Sequence, residues 1–301
     1  MMVNKSKIKL VFSKPLTLNA EWVVPTVLEY FDLVPWQPGI DTKNAVYYTS
    51  GFDPQDARGD EFEKVIVDNL REWPMAKTFR GHLMECQDWY WYHESLWYRY
   101  RNYHTYQPQR THQYLALMPM RLRRDYRDAL LAELDPVLDR ILWSYVAYGK
   151  TLPDDKMSLD LADRRHERLF RPQWYDSTDF SIVAESRVRG TYAHLSEKTY
   201  KAIAYYHPFL ILGVPGLLAR LRYLGFETFD NIFDESYDAE PNWKKRLMMI
   251  KNQVCAWNAQ VHTPETQRRL IHNHNHFFNK ELVISRIKTE VLEPLLHYAA
   301  T

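Results

Sequence analysis

The chain has 301 residues, and its 39 basic side chains are offset by 38 acidic ones for a formal net charge of +1. That balance excludes a uniformly basic nucleic-acid coat while leaving room for a local basic patch. Two cysteines, Cys86 and Cys255, far apart in sequence, argue against a disulfide framework or a cysteine-based zinc site. No apolar run reaches bilayer length and none follows Met1 as a signal-peptide core, so the expected setting is the cytoplasm, without a membrane partner.

Residues 8–12 read as a short strand, the stretch after Pro15 has helical spacing over 22–31, and the apolar runs 45–49 and 65–67 are of strand length. This alternation predicts a small Rossmann-like lobe over residues 1–110. It carries no G-x-G-x-x-G or Walker-type loop, so the common NAD and ATP signatures are absent.

The stretch 86–127 interleaves aromatic and basic residues: Trp89, Tyr90, Trp91, Trp97, Tyr98 and Tyr100 alternate with Arg99, Arg101 and Arg110, followed by Arg121, Arg123, Arg124 and Arg127. Such a run suits holding phosphates while stacking an unpaired or flipped base. It equally suits aromatics packed in a core with arginine stems lying over them.

A second α/β lobe is predicted over residues 111–260. Strands are expected at 114–117 and 141–146, the latter with Ser144 near its end, and a helix over 122–134 that stops at Asp135-Pro136. The polar segment 150–172 reads as solvated loop and helix face. Phe180, Ile182 and Val183 mark a buried strand with Glu185 and Arg187 at its end. Ser196 stands where an N-cap belongs, ahead of a helix over 197–206. A further strand is bounded by Pro208 and Gly213, a helix runs from Pro215 to Gly225, and 226–229 is a short apolar run of strand type. Strand, helix, strand, helix, strand is the order of parallel pairing with crossovers, so the fold class is α/β with two Rossmann-like lobes. Residues 261–301 have helical spacing from 265 to 296, predicting a long C-terminal helix. On a helix the i, i+2 spacing of His272, His274 and His276 does not gather them on one face.

In open parallel sheets ligands collect at the carboxyl ends of strands and at the helix N-termini there. Glu197 and Lys198 fall on that rim. A first-turn carboxylate can accept from a ribose diol, and its neighbouring ammonium with free backbone N–H groups can hold a diphosphate. The plainer account is a capped helix with two solvated charges.

The segments SEKTYKAI (196–203), HPFLILGVPG (207–216), LRYLGF (221–226) and DESYD (234–238) together resemble a group of phage and bacterial proteins with a GT-B-like glycosyltransferase fold, over about residues 113–258. Glu197-Lys198 looks like the donor-binding pair of fucosyltransferase-like and exostosin-like enzymes. The resemblance implies transfer of a sugar from a UDP- or GDP-type nucleotide-sugar to a hydroxyl acceptor, with no tightly bound cofactor and no metal. It puts Glu197 and Lys198 at the donor, makes Arg127 the best match to a basic residue near the donor phosphates, and makes 234–238 a cap or a loop lining that site. Ser144, Glu185, Arg187 and Tyr200 are further candidates there; Arg187, at the end of its strand, could neutralise a leaving diphosphate or simply pair with Glu185 or Glu197. Met118 stands where a polar residue is usual in the family. The C-terminal helix would pack back across the lobes.

If the reaction inverts, a carboxylate of the first lobe must act as general base; Asp68, Asp88 and Glu94 are candidates. Glu94 is preferred because surrounding aromatics would desolvate it, against the alternative of a surface glutamate on an amphipathic helix. Phage relatives make a hydroxymethylated base in double-stranded DNA the expected acceptor, held by Trp91, Arg99, Arg101 and Arg110. A glycan or protein acceptor, or a non-catalytic nucleic-acid-binding protein on the same fold, are the competing readings.

Overall fold

The computed structural model describes residues 8–12, 31–43, 45–49, 62–67, 80–85, 89–153, 171–190, 193–258, 261, 263–293 and 297. It divides into two compact units: residues 1–101 with 279–301, and residues 102–278.

The first unit holds β1 (Ile8–Phe12), β2 (Phe31–Pro35), β3 (Ala45–Thr49), β4 (Lys64–Val67) and β5 (His82–Glu85) in one sheet of order β2-β1-β3-β4-β5, every neighbouring pair parallel. That is one of the doubly wound strand orders. Val11, Ala45, Tyr47, Phe62 and Val65 form its core, with Tyr47 and Phe62 stacked at 4.8 Å. The helix expected over 22–31 lies outside the described residues except at Phe31, which opens β2. Helix α1 (Trp89–Tyr100) turns Trp91, Glu94, Ser95 and Tyr98 inward, the i, i+3, i+4, i+7 spacing of a buried helical stripe. Trp91 is therefore fully buried, under the Arg286 guanidinium at 5.1 Å, and offers no face on which a base could stack.

The second unit is built on β6 (Tyr114–Met120), β7 (Ile141–Tyr145), β8 (Thr178–Ala184) and β9 (Phe209–Leu212), an all-parallel sheet of order β7-β6-β8-β9. β8 and β9 are buried along almost their whole length, as strands of a parallel sheet covered on both faces are. Helix α2 (Asp125–Glu133) follows β6, the single turn α3 (Pro172–Asp176) precedes β8, and α4 (Glu197–Ala204) carries the chain from β8 to β9. Then come α5 (Leu217–Tyr223), α6 (Trp243–Cys255) and α7 (Pro264–Phe277). Helix α8 (Lys280–Ile287) belongs to the first unit.

Several expectations change. The boundaries at 110/111 and 260/261 fall inside the second unit, because the chain before β6 is tied to it: Thr111 N–H donates to Asp176 O at 2.7 Å and Gln113 N–H to Ser177 O at 2.9 Å. Arg110 is not a phosphate contact. Its guanidinium donates to the carbonyls of Tyr175 (2.7 Å), Tyr205 (2.9 Å) and Tyr206, beneath the stacked Tyr175 and Tyr205 rings. Residues 226–229 form no strand, since side chains take their polar groups: Asn273 bonds both the N–H and the C=O of Glu227 at 2.7 Å, and Glu235 accepts from Phe229 N–H at 2.6 Å. The C-terminal helix is not continuous. It breaks after Phe277, and Asn279 caps a new helix through Leu282 N–H at 3.0 Å.

The alternating histidines are spent on carbonyls. His272 and His276 reach Gly225 O (2.9 Å) and Leu224 O (2.8 Å) at the end of α5, while buried His274 lies between Ala204 O and His104 O. Gly225, at φ +93°, accommodates this approach; a Cβ there would sit 2.7 Å from the His276 ring.

Arg110→Ala is expected to lower the stability of the second unit by about 3 kcal/mol, because three buried carbonyls lose a charged donor. Arg110→Lys should recover little of this, since an ammonium cannot fork across three acceptors. Thermal unfolding followed by circular dichroism measures both.

Candidate functional site

The chain runs from β6 to β7 on one side and returns to β8 on the other, so the strand order reverses between β6 and β8 while all strands stay parallel. A crevice at such a switch point, outside the carboxyl ends of the strands, is where open α/β sheets bind ligands. The end of β8, residues 185–190 and 193–195, and the first turn of α4 lie there.

Glu185 is the first residue past β8 and is 1% exposed. Its N–H donates to Leu212 O of β9 at 2.9 Å, and its C=O accepts from Tyr126 Oη at 2.6 Å. Its carboxylate accepts from Ser196 N–H (3.1 Å), Ser196 Oγ (2.5 Å), Thr199 Oγ1 (2.7 Å) and Ser186 N–H (3.3 Å). Gly213 lets β9 end beside it: a Cβ at 213 would lie 3.3 Å from the Glu185 Cβ and 2.2 Å from a Leu217 methyl. Ser196 is the N-cap of α4, as its position implied, and accepts from Lys198 N–H at 3.4 Å. The N-terminus of α4 is thus partly satisfied from within, and less of it is free for a diphosphate than the sequence suggested.

Glu197 and Lys198 form an ion pair at 2.6 Å, with side chains 14% and 24% exposed. Lys198 Nζ also lies 3.2 Å from Ser196 Oγ. Burial by itself would raise the Glu197 carboxyl, but the Lys198 charge and hydrogen bond, with Lys201 beyond, hold it at about 2. Burial would likewise lower the Lys198 ammonium; Glu197 and Glu185 outweigh it and push it up. Both groups are charged at neutral pH. His194, two residues before the cap, was not anticipated. Burial depresses its imidazole, Lys198 and Arg187 add to that, and Glu185 and Glu197 oppose it. Glu185, Arg187, Glu197 and Lys198 therefore all lie within electrostatic reach of His194. Nothing in the sequence singled out His194, since a lone histidine has no periodicity to betray it.

The other expected donor residues are placed differently. Arg127 is 4% exposed and donates to Leu122 O (2.9 Å), Ala184 O (3.1 Å) and Glu185 O (3.4 Å), strapping the end of β8 to the segment after β6. Its positive charge stays beside the crevice while its terminal nitrogens are taken by carbonyls. Ser144 is buried in β7, the outer strand beyond β6. Tyr200 is a core residue, 1% exposed between Phe277 (5.8 Å) and Phe226 (6.2 Å). Arg187 is exposed on the loop after β8. The loop itself is clamped: Arg246 donates to Val188 O at 2.7 Å, and Arg189 pairs with Asp125 at 2.5 Å while lying over the Trp243 ring.

In the first unit Glu94 is 3% exposed, with its carboxyl inside the unit rather than at its surface. Asp68 and Asp88 lie outside the described residues. Arg99 is half-buried, and exposed Arg101 sits 4.6 Å from the Trp97 ring. The acidic segment 234–238 caps helices: Asp238 accepts from Leu218 and Ala219 N–H at 3.1 and 3.2 Å, Asp234 from Ser236 N–H, and Glu235 bonds Arg222 and Thr228. A separate hollow of about 820 Å³, lined by Tyr114, Leu138, Asp139, Trp143 and Lys150 among others, lies along β7 and contains none of the clustered charges.

No protein-family model and no curated protein matches the chain. Among solved structures it is similar to one described as an alpha1,3-fucosyltransferase with GDP, at 12% identity and TM-score 0.49 over 95% of this chain and 92% of that one. It is also similar to one described with GDP-fucose (10%, TM-score 0.41, 97% and 94% covered) and to an alpha1,3-fucosyltransferase structure (10%, 0.42, 95% and 91%). Likenesses of this size assign no activity. Among the described residues no helix is long and apolar enough to cross a membrane.

Because the Glu197 carboxyl is held low, its pair stabilises the fold fully above the ordinary carboxylate range and loses that contribution as pH falls through about 2. The stability difference between wild type and Glu197→Gln should therefore be level near neutrality, on the order of 2 kcal/mol, and shrink between about pH 4.5 and 2. Urea unfolding at a series of pH values measures it.

Proposed function

We propose that the chain is a glycosyltransferase that moves a sugar from a nucleotide-sugar, of UDP or GDP type, to a hydroxyl acceptor. The observation that carries this reading is the gathering of Glu185, Arg187, Glu197 and Lys198 around His194 at the carboxyl end of β8, beside the reversal of strand order in a parallel sheet. The resemblance of residues 196–238 to GT-B-like donor segments supports it, as do two units each built on a parallel sheet, the ingredients of that fold.

In this reading the second unit binds the donor. Glu197 accepts from the ribose hydroxyls, and Lys198 and Arg187 neutralise the diphosphate. The bond between the anomeric carbon and the diphosphate oxygen breaks with its electrons going to the diphosphate. The acceptor oxygen bonds to that carbon, and its proton passes to a base. Arg127 contributes its charge from beneath the crevice rather than a direct contact. The DNA acceptor has less support than a hydroxyl acceptor in general, since two of its four expected contacts, Trp91 and Arg110, are engaged inside the fold.

Nucleoside diphosphates and their sugar conjugates should raise the unfolding temperature of wild type, and Glu197→Ala should weaken that binding by about tenfold to a hundredfold. A chain that binds no nucleotide-sugar would overturn the reading. Transfer assays on hydroxymethylcytosine DNA, unmodified DNA and oligosaccharides, with labelled donor, separate the acceptor classes.

A further inference from the structure

The hydrogen bonds around Ser196 have a fixed direction. Its Oγ lies 2.5 Å from a Glu185 carboxylate oxygen, 3.2 Å from Lys198 Nζ and 3.4 Å from Lys198 N. An ammonium and an amide N–H only donate, and a carboxylate only accepts. The one hydroxyl proton must therefore go to Glu185, leaving the oxygen lone pairs to Lys198. Glu185 is itself bonded through its backbone to β9 and to Tyr126, and through its carboxylate to Thr199 as well.

We propose that Glu185 is a positioning residue for the Lys198 ammonium, acting through the Ser196 hydroxyl, so that the sheet edge rather than the flexible lysine stem decides where the ammonium points. Lys198 has three N–H donors; Glu197 and Ser196 take two and aim the third at an incoming anion. This rests on the donor-site reading for the identity of the anion, here the diphosphate of a nucleotide-sugar. Glu185 does not touch that ligand; its carboxylate is enclosed by its four donors.

Glu185→Gln preserves volume but breaks the polarity. With its amide oxygen toward Ser196 N–H and Thr199, its NH2 donates to Ser196 Oγ and turns the hydroxyl proton against Lys198. Flipped, the NH2 opposes the Ser196 N–H. Ser196→Ala removes the relay, and Thr199→Val removes a Glu185 donor without touching Lys198.

The test uses the full chain and two readouts. Lys198 acetylation by acetic anhydride, followed by mass spectrometry across pH, reports the ammonium without any nucleotide. Calorimetry with GDP and UDP reports binding. Glu185→Gln and Ser196→Ala should each speed Lys198 acetylation and weaken nucleoside-diphosphate binding by about tenfold. The double variant should match Ser196→Ala alone, because both act through one hydroxyl. Thr199→Val should lower the unfolding temperature and leave Lys198 reactivity as in wild type. Unchanged Lys198 reactivity in Ser196→Ala, or additive losses in the double variant, would overturn the proposal. If Glu185→Gln does not fold, Ser196→Ala against Thr199→Val still decides it. A wild type that binds neither nucleotide would sink the donor reading, while the acetylation comparison still judges the role of Glu185.

Discussion

A carboxylate removed from water must be surrounded by donors, and at the end of β8 that requirement organises the second unit. Among the described residues no cation bonds Glu185; two hydroxyls and two backbone N–H groups surround its carboxylate instead. Three of those four donors belong to the first turn of α4 or its cap. The strand end and the helix start, eleven residues apart in sequence, are therefore fixed to each other by one side chain. It resembles a capping box whose acid has been moved from inside the helix to the preceding strand.

Buried guanidinium groups supply the complementary device. Arg127 ties the end of β8 to the segment after β6, Arg246 holds the loop at Val188, and Arg110 gathers the carbonyls at the end of α4 and of α3. Chain ends of parallel strands leave carbonyls without ladder partners, and a planar donor fork satisfies two or three at once. The same property makes arginine suited to phosphates, so sequence alone does not separate the two uses. The difference between Arg127 as a ligand contact and Arg127 as a strap lies in which acceptors the fold brings within 3 Å.

The legible parts of the sequence were those where one local signal decided the outcome. Pro208 and Gly213 bracket β9, and Ser196 marks the start of α4; both stand where expected. Strands β2 and β5 were missed because FDLVP and HLME are short and their apolar residues are interrupted or flanked by charged and polar ones, and pairing in a sheet completes what the pattern lacks. Residues 226–229 were misread for the opposite reason: Phe226 and Phe229 are buried as anchors of a loop whose backbone is satisfied by Asn273 and Glu235. The charged pair at 197 and 198 could be found from its place after a cap, but the enclosure of Glu185 and the approach of His194 depend on tertiary contacts that no spacing records.

The resting arrangement also constrains how a ligand could enter. Around His194, whose imidazole burial depresses, the acidic Glu185 and Glu197 face the basic Lys198 and Arg187, with the Arg127 charge acting on Lys198 from beside them. In the donor reading proposed above, a diphosphate meeting the third N–H of Lys198 shares the ammonium with Glu197. As it gains that partner, the Glu197 carboxylate gives up part of its own and needs new donors, which the hydroxyls of a ribose supply. Glu185 cannot make the same exchange, because its donors are built into the fold. One acid of the pair is thus suited to meet a ligand and the other to hold the frame still, a division set by burial and hydrogen bonding rather than by residue type.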